Sequence, residues 1–255
     1  MAPALTAEAV TDFRAVFLAD PFLVRHDDLW HLFFEAMDGD LKRGVIALAT
    51  SPDARTWTYQ GLVLRENFHV SYPYVFRHRE QFFMMPETGR AGNVRLYRAD
   101  PFPFRWKYEC QLLDRGYADA SPVRWEGRWW IFCSRAGNDS LLLFHSDRLS
   151  GPFRPHPLNP VMSDNLHHSR PAGRIIAWNG GLLRFAQDCA PHYGTRVWPL
   201  EIKRMNPREY ADELAGVAIL GPGAEAWNRG GMHHVDAQET GSGEWLAAVD
   251  GWYGM

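Results

Sequence analysis

Apolar and polar positions alternate along this chain in short blocks. The runs LWHLFFEA (29–36), QFFMMPET (81–88), RWWIFCSR (128–135) and GLLRFAQD (181–188) each follow a polar or glycine-bearing turn, HDD, HRE, WEG and WNG. Runs this short, bounded by turn residues and without a 3.6-residue period, predict β-strands rather than helices. A proline-containing run precedes each turn: ADPFLV (19–24), SYPYVF (71–76), ASPVRW (120–125) and SRPAGR (169–174). Their prolines, Pro21, Pro73, Pro122 and Pro171, are spaced by 52, 49 and 49 residues. A third run follows in every unit (GVIALATS, NVRLYRAD, LLLFHSD, TRVWPLEI), and a fourth in the first three (TWTYQGLVL, FRWKYECQLL, GPFRPHPL).

Four strands in a repeat of about 50 residues predict one propeller blade per repeat. A fifth, shorter unit runs through MHHVDAQ (232–238) and EWLAAVDG (244–251), and FRAVFL (13–18) is the expected donor of its missing outer strand, closing the ring. The expected fold is therefore an all-β, five-bladed propeller forming a single domain over residues 1–255. A short helix is expected at NPREYADELAG (206–216). Proline at the start of the first strand of a blade is tolerable because that strand begins at the channel mouth and needs no complete ladder there.

First strands line the axis of a propeller, so the residue before each repeat proline, Asp20, Tyr72, Ser121 and Arg170, should face the channel. Second-strand ends add Glu35, Glu87, Ser134, Gln187 and Asp188, with Asp250 in the fifth unit and Asp119 two residues before Ser121. Glycoside chemistry needs two carboxyl groups, one protonated and one ionised. Asp20 is the expected base and Glu87, beside Met84, Met85 and Pro86, the expected acid, with Asp188 a further catalytic candidate. The alternative is a polar cluster that only plugs the channel. Arg170 and Arg174, read as sharing one strand face, offer paired donors for a carboxylate or phosphate, or an internal salt bridge. The pairs His167-His168 and His233-His234 approach the fourth and fifth first strands, and Asp236 follows. His168, His234 and Asp236 are read as substrate-binding residues. A metal held by these three is the lesser alternative, so no cofactor is expected. Trp129, Trp130 and Trp178 read mainly as packing between blades.

Composition narrows the partners. A chain that is 46% hydrophobic and 22% charged, with a formal charge of −3, lacks the basic surface that nucleic acid or an anionic membrane selects. Three irregularly spaced cysteines, Cys110, Cys133 and Cys189, suit a reducing compartment. Glu8 and Asp12 interrupt what a secretory leader would keep apolar, so a cytoplasmic setting is expected, with a sugar or other small molecule as partner.

The runs DPFLVRHDDLWHLFFEAMDGDLKRGVIALATSPDARTW, SYPYVF, MMPET, WWIF, HPLNPV, RPAGR, RFAQDC, YGTRVWPLEI and HHVDA resemble the propeller domain at the N-terminus of plant glucosamine inositolphosphorylceramide transferases, which also occurs in bacteria beside formyltransferase-like modules. The likeness extends from Asp20 to Asp250. That domain is similar in turn to five-bladed glycosidases of the arabinanase and fructosidase type, whose first-blade Asp is the general base; Asp20 matches it. The resemblance implies a second Asp just before the third-unit proline, where Ser121 stands with Asp119 displaced by two, and a Glu at the fourth-unit start, where Arg170 stands. Three functions stay open: a glycoside-hydrolase-like enzyme, a non-hydrolytic tailoring or cyclising enzyme of a small-molecule pathway using the same funnel, and a non-catalytic carbohydrate-binding module.

Overall fold

The sequence's turn residues build its hairpins. In the computed structural model, which describes residues 2–241 and 243–253, Asp27 and Asp28 have φ of 49° and 60°, Glu126 and Gly127 of 47° and 78°, and Asn179 and Gly180 of 48° and 78°. Two consecutive left-handed residues give the turn whose twist matches that of the flanking strands. The first sheet is an antiparallel meander of β1 (Ala15–His26), β2 (Leu29–Asp38), β3 (Arg43–Ser51) and β4 (Thr58–Leu64). The second repeats it with β5 (Ser71–His78), β6 (Gln81–Glu87), β7 (Val94–Ala99) and β8 (Trp106–Leu113), and the third with β9 (Ala118–Trp125), β10 (Arg128–Ser134), β11 (Leu141–Ser146) and β12 (Arg154–Pro155). In the fourth, β13 (Arg170–Pro171) and β14 (Ile176–Trp178) both pair with β15 (Gly181–Asp188), followed by β16 (Arg196–Met205) and β17 (Tyr210–Leu214). The fifth holds only β18 (Val235–Glu239) and β19 (Trp245–Val249).

The fold is an all-β propeller with four complete blades rather than the expected five. FRAVFL does not complete the fifth sheet: Ala15 and Leu18 pair with Asp38 and Ala36 in the first. Leu246 and Ala248 instead pack against the apolar cluster of the first sheet that contains Trp30, Phe34 and Ala47. The expected helix at 206–216 is also a strand. Asn206 Oδ1 accepts the N–H groups of Arg208 and Glu209, closing a turn that returns Tyr210 against Met205. Pairing with β16 overrides the helix propensity of Glu, Leu and Ala.

One irregularity recurs. The β1–β2 register steps from Phe22↔Phe33 to Ala19↔Glu35, placing Asp20 and Pro21 opposite a single residue. The same bulge holds Tyr72 and Pro73 in β5, and Asp119 and Ala120 in β9. Its first residue is left-handed each time, with φ of 52° at Asp20, 46° at Tyr72 and 51° at Asp119. The third-unit counterpart of Asp20 is therefore Asp119 and not Ser121, which is in register opposite Phe132. Pro21 and Pro73 occupy the bulges, where no ladder donor is needed. Pro122 and Pro171 lie on edge strands, the other place a sheet accepts proline.

The chain divides into two compact units, one made of the residues up to Gly116 with Asp236–Asp250, the other of Tyr117–Val235 with the residues from Gly251. In the first, Phe33, Ile46, Leu48, Val75, Met84 and Trp106 form a core shared by the first two sheets. In the second, Trp130, Phe132, Leu143, Leu182 and Ile202 join the third and fourth. Trp129 and Trp130 are buried as expected, whereas Trp178 is 40% exposed. Gly173 (φ 126°) interrupts the fourth first-strand and forms a parallel bridge with Val235, whose N–H bonds to Ala172 O at 2.9 Å. A Cβ on Gly173 would run into the Val235 carbonyl. Gly173→Ala should therefore cost about 3 kcal/mol or more in a urea titration, against about 1 kcal/mol for Gly180→Ala, whose Cβ would meet nothing within 4 Å. Equal, small costs would contradict the bridge.

Candidate functional site

A left-handed bulge residue turns its N–H out of the ladder, and a buried N–H must find another acceptor. In the first unit carboxylates supply it. Asp20 N–H donates to Asp250 Oδ2 at 3.0 Å, and Tyr72 N–H donates to Asp20 Oδ2 at 3.2 Å. Leu23 N–H reaches Asp236 Oδ2 at 2.5 Å, and Gln238 Nε2 donates to Leu23 O at 3.3 Å. Asp20, Tyr72, Asp236 and Asp250 are all buried. The structure thus ties three of the sequence-predicted residues and Asp250 to the backbone of two bulged strands.

Glu35 is buried opposite Ala19, and Glu87, half-buried, is opposite Ser71. Ser134 and Gln187 hold the same place in their sheets, opposite Ala118 and Arg170. These second-strand positions are equivalent, as their spacing predicted. The sequence reading missed His69, two residues before β5. Its Nδ1 accepts the Gly44 N–H at 2.8 Å, and its Nε2 lies 3.5 Å from Glu35 Oε1. Burial depresses its pKa, a shift that Asp20 opposes and Arg90 reinforces.

In the second unit Asp119 meets Arg170 through two bonds, Nε to Oδ2 at 2.5 Å and Nη2 to Oδ1 at 3.2 Å. Arg170 Nη1 donates to Asn138 Oδ1 at 2.7 Å, and the guanidinium lies 5.0 Å from the Tyr193 ring centroid. This paired geometry holds an arginine in one orientation. Ser121 Oγ donates to the Asp119 carbonyl at 3.0 Å, bracing the bulge. Arg174 does not share a strand face with Arg170, because the chain bends at Gly173 between β13 and β14; it is half-buried.

Asp188 is buried with Oδ1 bound to His167 Nδ1 at 2.9 Å and the Ala190 N–H at 3.0 Å, and Oδ2 to Trp198 Nε1 at 3.0 Å. His167, rather than His168, is the histidine of that pair that meets a carboxylate. The two occupy a turn, not an extended strand, and His168 sets its ring edge-on to Trp198. His234 is fully buried. Of the three residues read as a possible metal set, His168 and Asp236 belong to different units, and each is engaged within its own. Burial raises the Cys189 thiol to about 11 despite the nearby Arg170, so it is protonated at neutral pH.

Burial likewise lowers the pKa of His31, His69, His145 and His168 below the ordinary 6.5. A histidine depressed in the folded state contributes stability that is full above 6.5 and is lost as pH falls through the folded values. The urea midpoint should be flat between pH 7 and 8 and decline below about 6.5. A midpoint that rises on acidification to pH 5.5 would contradict these assignments.

The same fold is found in solved structures of glycoside hydrolases. The chain superposes on the catalytic domain of the Coprinopsis cinerea GH62 α-L-arabinofuranosidase with a TM-score of 0.76, at 14% identity, covering 99% of this chain and 89% of that one. Zg3597, a family 117 glycoside hydrolase from Zobellia galactanivorans, superposes with a TM-score of 0.62 at 15% identity over 84% of this chain and 76% of that one. At these identities the likeness shows the fold alone.

The chain belongs to the family described as glucosamine inositolphosphorylceramide transferase 1, N-terminal, whose family model matches residues 1–252. Relatives named glucosamine inositolphosphorylceramide transferase 1 are 37% identical in Oryza sativa subsp. japonica and 33% identical in Arabidopsis thaliana, each over 98% of this chain. The chain spans only about a third of their length, 35% and 34% respectively.

Proposed function

We propose that this chain is a carbohydrate-active enzyme domain acting on a glycoside or sugar-like small molecule by acid–base catalysis. Asp20 is the base and Glu87 the acid. Asp20 takes a proton from water or an acceptor hydroxyl while Glu87 protonates the departing oxygen. The observation that carries the reading is the Asp20 bulge: a carboxylate in a left-handed position, its own N–H on Asp250 and its Oδ2 on the Tyr72 N–H. Such fixing costs conformational freedom and suits a group that must meet a reacting atom in one orientation. Asp188, with its oxygens taken by three donors, is assigned to holding His167 and Trp198 instead of to catalysis.

In this reading the two-stranded fifth sheet is a reduced fifth blade. The sheets' common repeat and the superposition over 99% of the chain support it. Three free cysteines support a cytoplasmic setting. No helix among the described residues is long and apolar enough to cross a membrane.

A second reading is transfer without hydrolysis. The relatives are named as transferases, and Arg170, where the resemblance implies a Glu, is committed to Asp119. Incubation with p-nitrophenyl α-L-arabinofuranoside, β-D-xyloside and β-D-glucosaminide, alongside saturation-transfer spectra with the free sugars, separates the readings. Released p-nitrophenol supports hydrolysis. Saturation transfer without release moves the assignment to transfer or binding, and neither signal sinks it.

A further inference from the structure

The short segment 69–72 serves two carboxylates at once. Its end presents the Tyr72 N–H to Asp20, and its start sets His69 Nε2 3.5 Å from Glu35 Oε1. Between them Val70 N–H donates to Gly44 O at 3.2 Å, while Gly44 N–H donates to His69 Nδ1 at 2.8 Å. The segment is thereby fastened to β3 through both backbone groups of Gly44, one of which holds the imidazole. Because Nδ1 accepts, a neutral ring carries its proton on Nε2, the nitrogen that faces Glu35. Burial keeps that ring neutral at pH 7.

Gly44 adds an independent observation. β3 passes so close that a Cβ at this position would stand 2.5 Å from Glu35 Oε1, 2.5 Å from the Val70 carbonyl oxygen and 2.8 Å from His69 Cε1. Any side chain would displace the carboxylate and the imidazole together. Glu35 is 5% exposed and lies across the ladder from the residue preceding Asp20. Burying a carboxylate this deeply is costly. A buried carboxylate with an anchored imidazole 3.5 Å away, on the strand that pairs with the Asp20 bulge, is placed for use rather than for packing.

Resting on the carbohydrate reading above, we propose that Glu35 belongs to the Asp20 site as a carboxylate that accepts a hydrogen bond from a sugar hydroxyl, and that His69 is its positioning residue. Sequence reasoning reached Glu35 through strand equivalence. Nothing in a lone histidine ahead of SYPYVF marked its part.

The test titrates the whole protein with L-arabinose, D-xylose and D-glucosamine, following Kd by saturation-transfer NMR for wild type, Glu35→Gln, His69→Asn and His69→Gln. Long-range ¹H–¹⁵N spectra report the His69 tautomer. Asparagine keeps an acceptor for Gly44 but loses the donor to Glu35; glutamine keeps the donor. Glu35→Gln and His69→Asn should weaken Kd about tenfold or more, with His69→Gln recovering most of the loss. The wild-type ring should be the Nε2–H form. Wild-type binding that Glu35→Gln and His69→Asn leave unchanged overturns this inference and leaves the Asp20 reading standing. No binding of any of the three sugars overturns both, and an Nδ1–H ring overturns the positioning role.

Discussion

Asp20→Asn is expected to lower turnover of whichever p-nitrophenyl glycoside the parent cleaves by about 10²–10⁴-fold, the usual contribution of a general base. The fold should survive. Asparagine is close to aspartate in shape, tolerates the left-handed φ of 52°, and its carbonyl oxygen can still accept the Tyr72 N–H at the position of Oδ2. It loses the negative charge and with it the capacity to take a proton. A urea midpoint and sugar affinity near the parent's, with turnover gone, would place the defect in chemistry. Asp20→Ala is the less informative variant, since alanine removes the acceptor for Tyr72 and fits a left-handed bulge poorly. Glu87→Gln should show a comparable loss, largest for substrates with poor leaving groups, which depend most on a proton donor. Full turnover in Asp20→Asn would remove Asp20 from catalysis.

Arg184→Ala should cost about 3–5 kcal/mol in urea unfolding, the range for breaking a buried ion pair from one side. Arg184 is only 2% exposed. Its Nε donates to Asp212 Oδ2 at 2.6 Å and to the Tyr210 hydroxyl at 3.1 Å, and Tyr210 donates to the same Asp212 oxygen at 2.6 Å. Truncation strands that carboxylate. Replacing the group wholesale, with Arg184→Met, Asp212→Leu and Tyr210→Phe, should recover most of the loss, because apolar groups of similar volume leave no charge to solvate. The arginine also donates from Nη1 to the His168 carbonyl at 2.9 Å, so it anchors the turn that carries His167 to Asp188. In the triple variant stability should return while hydrogen exchange in residues 166–168 stays accelerated. A cost below about 1 kcal/mol for Arg184→Ala would show that the pair is solvated.

The strand order within the four complete sheets was legible because strands of this kind announce themselves twice, by short apolar runs and by the turns between them. HDD, WEG and WNG carry the Asp, Gly and Asn that left-handed pairs demand. The bulge was not legible from the prolines. Aligning on Pro122 selected Ser121, whereas the structure selects Asp119. Counting seven residues back from the first turn residue, Asp27, Arg79 or Glu126, reaches Asp20, Tyr72 and Asp119 alike, so a turn-based alignment would have found it. The segment at 206–216 misled through composition, since its helix-forming residues are outweighed by the Asn206 turn and the partner strand β16. His69 and the His167–Asp188 contact were illegible for another reason. Both depend on where a loop meets a strand remote in sequence, Gly44 in one case and Asp188 in the other.

The recurring bulge bears on how such a scaffold varies its chemistry from sheet to sheet. Because one extra residue is looped out at the same step of three sheets, the side chain it presents is uncoupled from the in-out alternation that governs the rest of the strand. An acid stands in that socket in two sheets and a phenol in the third, with the neighbouring ladder unchanged. The side chain at each of these three addresses can therefore differ from sheet to sheet with no change in the strand pairing around it.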